Sequence, residues 1–189
     1  MSRAYRIRVR ESLNRSLQAE DRISTQLELL EILPAEQMGE LLARELEGQG
    51  FRKEGAVMVR ERDGVTTTVD PLTGAVTVEA KAGEQVELVG QREGTAFDDV
   101  GPGQKRVQEE LRQQLQSDLE RQAQQEQARL QAQATGRLEG HLCDLEPELN
   151  QAVNRATAAA LKQKAAQLGR IKEMSEDPQT GSLTITLEV

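Results

Sequence analysis

Three arginines stand at alternate positions near the N-terminus, Arg6, Arg8 and Arg10, with Arg3 and Arg15 close by. A row of guanidinium groups suits bidentate contact with phosphate, with nucleic acid or with an acidic partner. It has no interleaved aromatic residues on which bases could stack. The plainer account is a solvated strand face paired across to carboxylates. His141 and Cys143 are the only residues of their kinds. Two apart on a helix, they do not face each other, and without a second histidine they complete neither a catalytic triad nor a metal set. Asp98-Asp99 before Gly101-Pro102-Gly103 and Lys105 lacks the spacing of a phosphate loop, and its acidic pair would repel an anion. No paired catalytic carboxylates, nucleophile elbow or dinucleotide fingerprint is present. These residues predict no enzyme, no cofactor and no metal.

One segment occurs twice. Asp70-Pro71-Leu72-Thr73-Gly74 followed by Ala75 to Glu79 returns as Asp177-Pro178-Gln179-Thr180-Gly181 followed by Ser182 to Thr186. Proline presets φ, glycine accepts positive φ and the threonine can bond back toward the aspartate, which makes a compact turn. A cation site on Asp70 or Asp177 is the weaker reading, because a single carboxylate is a poor calcium site. Each copy follows a helical stretch ending in glycine, so a helix–strand–turn–strand unit is expected twice.

Composition narrows the classes. The net charge of −8 at pH 7 argues against wholesale phosphate-backbone binding. Apolar residues make up 37% and aromatics 2%, so any core rests on Leu, Val, Ile and Ala. The single cysteine excludes an intrachain disulfide and suits a reducing compartment. No run approaches the ~18 apolar residues of a membrane span, and the N-terminus lacks a signal-peptide stretch. A cytoplasmic protein is expected.

The elements follow from periodicity. Tyr5, Ile7 and Val9 alternate with the arginines as a half-buried strand. Leu13 to Asp21 reads as a polar connection and Ile23 to Leu33 as a second strand, with Gln26 and Glu28 on its polar face. The two are expected to pair as a hairpin, Glu28 opposite one of the arginines. Pro34 begins an amphipathic helix through Met38, Leu41, Leu42 and Leu46, stopped by Gly48 and Gly50. Strands are predicted at 56–60, 65–69 and 75–80, with Asp63-Gly64 as a hairpin turn, a short edge strand at 86–89 and a linker from Gly90 to Gly103.

Residues 104–133 then hold eleven glutamines, no Gly and no Pro. Val107, Leu111, Leu115 and Leu119 recur every fourth residue, a narrow stripe on a solvated helix. Leu138, Leu142, Leu145, Leu149, Val153, Ala156 and Ala160 have coiled-coil seam spacing. Gly136, Gly140 and Pro147 suggest a break between two helices within 134–147. A 30-residue helix extends roughly 45 Å, so a helical hairpin is expected to project as an arm.

Ser2 to Ser12 and the stretch Gln26-Leu27-Glu28-Leu29-Leu30-Glu31-Ile32-Leu33 resemble small bacterial proteins encoded beside FtsH-type AAA+ ATPases in ternary systems of stress or conflict. The Ala-rich helix, Gly169 and final hairpin are also similar to a small cyanobacterial and plastid family that closes in the same way. The first resemblance implies an accessory role near an ATPase and supplies no catalytic residues.

The expectation is therefore an α+β protein, with an antiparallel sheet built from two related helix–strand–turn–strand units and a long inserted helical hairpin. Its divisions are 1–100, an N-terminal β-β-α-β-β-β half; 101–168, the helical insert; and 169–189, a β-hairpin joining the sheet. The expected function is a non-enzymatic adaptor acting through protein contacts beside an AAA+ ATPase. Partner contacts fall on Arg6, Arg8, Arg10, Leu111, Leu115 and Leu119, and the helical arm is also the element through which copies would associate. The alternative is a phosphate- or nucleic-acid-binding module on the Arg6/Arg8/Arg10 face.

Overall fold

The computed structural model describes residues 4–97, 103–176 and 183–188. The fold is α+β. In chain order the elements are β1 (Ala4–Gln26), α1 (Ala35–Gly48), β2 (Arg52–Glu54), β3 (Val57–Arg62), β4 (Val65–Val69), β5 (Ala75–Phe97), α2 (Gln104–Leu168), β6 (Arg170–Glu176) and β7 (Leu183–Glu188). A five-stranded antiparallel sheet has the order β1-β5-β4-β3-β2. The chain falls into two compact units, Met1–Glu20 with Lys81–Ala134 and Asp21–Ala80 with Thr135–Val189.

In the first unit, odd-numbered residues of β1 and even-numbered residues of β5 turn inward under the first part of α2. Val9 meets Leu115 and Leu119 in one cluster, with Ile7, Leu13, Leu88 and Leu111 around it. Leu17, Ala19, Ala82, Leu130 and Ala134 form another. The strand does not stop at Leu13, where a polar connection is expected: Leu13, Leu17 and Ala19 on its inward parity pack into the two clusters, while Asn14, Ser16 and Gln18 on the other face are exposed. Gly90 to Phe97 is likewise strand rather than linker. A Cβ on Gly90 would stand 2.5 Å from Leu115 Cδ1, and one on Gly94 2.8 Å from Leu111 Cδ1. These glycines are where the helix leucines press closest to the sheet.

The second unit holds the larger core. Val57–Arg62 pairs with Val65–Val69, and that strand with Val76–Ala80, in regular antiparallel register. Asp63 (φ 54°) and Gly64 (φ 75°) make the tight two-residue turn that their sequence predicts. α1 begins behind Pro34 and buries Met38, Leu41, Leu42 and Leu46 against this meander. Leu138, Leu145, Leu149, Ala152, Ala156 and Ala160 of α2 close the same core. The seam spacing thus marks the face turned to the chain's own sheet.

Further expectations are corrected. The N-terminal hairpin does not form: β1 is one strand beside β5, and Glu28 lies outside any strand. The helical hairpin is a single helix through Gly136, Gly140 and Pro147. Leu138 and Leu145 on either side of Gly140, and Leu149 beyond Pro147, are buried in one core, and that burial outweighs the ~1 kcal/mol a glycine costs and the backbone bond the proline forgoes. The short edge strand expected at 86–89 is part of the longer β5, beyond the stretch Val76–Ala80 that pairs with β4. Among the described residues, β6 and β7 pair only with each other rather than joining the larger sheet. The second Asp-Pro turn, residues 177–182, and the Asp98-Asp99 stretch lie outside the described residues. No helix among those described is long and apolar enough to cross a membrane.

Candidate interaction site

The arginine row lies on the outward face of β1, where Arg6, Arg8 and Arg10 are all exposed. Arg8 Nε donates to Glu93 Oε1 at 2.7 Å, so its acidic partner comes from β5 and not from Glu28. Leu111, Leu115 and Leu119 lie inside the first unit. Leu115 and Leu119 are each 3% exposed, and Leu111 packs beside them. The stripe that suggested a partner face is covered by the chain's own strands. Polar ties flank it on both sides: Arg112 to Glu11 at 2.9 Å toward β1, and Arg92 to Asp118 and Arg129 to Glu84 toward β5.

His141 faces β4. Thr67 sits among valines on the buried face of that strand and is 0% exposed. Its Oγ1 lies 3.2 Å from His141 Nε2, which satisfies a hydroxyl that would otherwise be costly to bury. Arg60, directly across the ladder from Thr67, reaches Glu148 Oε2 at 2.7 Å and the Gln49 carbonyl at 3.2 Å, and stacks over Phe51 at 4.5 Å. Gln49 Nε2 in turn donates to the Glu148 carbonyl at 2.9 Å. The cluster ties α1, β3 and α2 together and commits the lone histidine to that task.

The His141 pKa is held below its ordinary 6.5, first by burial and then by the positive charges of Arg60 and Arg62. An unfolded chain takes up a proton near pH 6.5, while the folded chain resists it. The resulting stability is complete above 6.5 and is lost as the pH falls below it. His141→Gln, which keeps a hydrogen-bonding group near Thr67, is expected to flatten that fall in urea-denaturation midpoints between neutral pH and pH ~5. An unchanged slope would show that other groups set it.

The surface that sequence periodicity missed lies at 26–33 and 70–74. Asp70 builds the turn: its Oδ2 accepts from Thr73 Oγ1 at 2.8 Å, its Oδ1 from the Leu72 N–H at 2.9 Å, and its carbonyl from the Gly74 N–H at 2.8 Å. The Thr73 hydroxyl lowers the Asp70 pKa from 3.8; burial opposes it, and the backbone N–H groups of Leu72 and Thr73 add to the lowering. Gly74 takes φ 75°. Just past β1, the Leu27 N–H donates to the Gly74 carbonyl at 2.8 Å, and Gln26 Nε2 to the Thr73 carbonyl at 3.2 Å. Residues 27–33 are thereby laid along the turn.

Leu33 and Met38 floor a groove of about 470 Å³ there, and Glu28 and Glu31 are among the residues that line it. Leu30 and Leu72 stand over it, 62% and 54% exposed. The available signal was parity. Leu30 falls on the same alternate positions as Gln26 and Glu28, an apolar residue on a face otherwise read as polar.

Among the described residues no group of three or more His, Cys, Asp or Glu side chains gathers to hold a metal ion. A family model described as FtsH ternary system domain X5 matches residues 1–189. No curated protein and no solved structure matches the chain.

Proposed function

The chain belongs to the FtsH ternary system domain X5 family, and from that premise we propose that it is a non-enzymatic adaptor of such a system, holding the system's AAA+ ATPase through the Leu30–Leu72 groove. The observation that carries this reading is two exposed leucines presented on a segment and a turn that hydrogen bonds hold in place. Exposed apolar side chains on an ordered frame lose little conformational freedom on docking. Glu28 and Glu31 at the groove favour a partner segment with apolar side chains flanked by positive charge. Two side chains that could have served catalysis or cation binding have other work: His141 serves Thr67, and Asp70 is occupied by its own turn.

Purified chain is expected to bind the FtsH-type ATPase of its own system in calorimetry or interferometry. The double change Leu30→Asp and Leu72→Asp is expected to weaken that binding at least about tenfold, since burying even one leucine contributes ~1.5–3 kcal/mol. Both sites are exposed, so stability should hardly move. Undiminished binding by the double variant would rule out the groove, and absence of binding by the wild type would rule out the ATPase as partner.

A further inference from the structure

We propose that a second copy of this chain pairs antiparallel with the outer edge of β1 about a two-fold axis at Leu13, joining two first units through one continuous ladder. β1 is a terminal strand of the sheet, and among the described residues only β5 lies beside it. A long strand edge carries unspent N–H and C=O groups that can template another strand. The outward groups are marked by the helix. Gln127 Nε2 donates to the Gln18 carbonyl at 2.7 Å and Gln131 Nε2 to the Glu20 carbonyl at 3.1 Å, reaching round the edge from α2. By strand alternation, the backbone groups of Ser12, Asn14 and Ser16 face the same way. Each glutamine uses one lone pair of its carbonyl, and a carbonyl has two.

The occupant follows from self-complementarity. With the axis at Leu13, Arg6 of one copy faces Glu20 of the other, and Glu11 faces Arg15. On the helix side Val9 meets Leu17, Ile7 meets Ala19, and Leu13 meets itself, so the apolar strip continues across the junction. Other registers that keep the faces aligned lose this match. An axis at Asn14 sets Arg6 against Arg22, and one at Ser12 sets Glu11 against Leu13 and Val9 against Arg15.

The helices agree with this geometry. α2 bonds to β1 on one flank and to β5 on the other, so it lies over the line between them. Doubling the sheet about the β1 edge places the second helix two strand spacings away, roughly 9–10 Å. That is about the separation of packed helices. The flanks that meet carry Gln127 and Gln131, whose amides can bond across the helix pair as well as to the edge.

Sedimentation of the full chain over a wide concentration series is expected to show a monomer–dimer equilibrium. Asn14→Pro removes one outward N–H and leaves the ladder to β5 intact, so it should give monomer with an unchanged circular dichroism spectrum. Glu20→Arg should weaken the dimer about tenfold by setting like charges opposite each other twice, and adding Arg6→Glu should restore it. Leu13→Cys in a Cys143→Ser chain should cross-link on mild oxidation, because facing residues at a non-hydrogen-bonded site lie about 4.5 Å apart at Cα. If Asn14→Pro fails to fold, the charge swap and the cross-link decide. A monomeric wild type, a dimer indifferent to the charge swap, or a Leu13→Cys chain that stays monomeric on oxidation would each overturn the proposal.

Discussion

Gly74→Val is expected to lower the stability of the second unit by about 3 kcal/mol, seen as a lower urea midpoint. Two costs combine. The residue holds φ 75°, which a β-branched side chain adopts only under strain of ~1–3 kcal/mol. A Cβ there would also stand 2.6 Å from the Leu27 carbonyl oxygen. That oxygen is backbone, in a residue whose N–H is itself bonded to Gly74, so it cannot move aside as a side-chain tip would. Relief requires residues 27–33 to leave the turn, and the groove beneath Leu30 opens with them. ATPase binding should therefore fall together with stability. A midpoint shift equivalent to less than ~1 kcal/mol would show that the turn yields elsewhere.

Gly90→Val combined with Gly94→Val is expected to strip hydrogen-exchange protection from the 104–134 part of α2 while sparing 135–160. Each new side chain intrudes on a leucine that already fills the space, Leu115 at one position and Leu111 at the other. Overpacking of this kind costs ~1–3 kcal/mol a site. The first unit can meet that cost by releasing its helix, because its clusters are small: Val9 with Leu115 and Leu119 in one, five buried residues in the other. Unchanged protection over 104–134 would mean that the leucines have room to turn away.

What could be read beforehand follows a physical line. α1, the Asp63-Gly64 turn, the β3–β4–β5 meander and the Asp70 turn rest on local chemistry: a proline before the first turn, alternating valines, an aspartate bonded by its own Thr73. Period and propensity report such features directly. Partner choice over long distances is not local. Leu13 to Asp21 looked like a connection because a strand exposed on one face, with small inward residues such as Ala19, carries few apolar letters. Gly90 and Gly94 looked like punctuation, whereas they admit a helix that begins only at Gln104. The Leu111–Leu119 stripe was visible, but nothing in its spacing says whether a partner or the chain's own sheet lies opposite. Gly136, Gly140 and Pro147 are helix breakers by propensity, and they are overruled by apolar contacts with strands as far back as Val65. The Leu30–Leu72 groove was hidden for a related reason, since its two leucines are far apart in sequence and meet only through the Gly74–Leu27 bond.

The distance between β1 and its partner strand also governs how the chain is born. Arg8 and Glu93, joined across that pair, are separated by 85 positions. At ~5–20 residues per second of synthesis, roughly 4–17 s pass between their emergence from the ribosome. The meander from β2 to β4 needs only near neighbours and can close within that interval. β1 meanwhile waits with both edges bare, and α2, translated later still, is the last piece needed to cover its Val9 and Leu17. Slower translation across residues 27–97 is therefore expected to lengthen the period in which the nascent chain is open to chaperones and to aggregation, with no change in the stability of the finished protein.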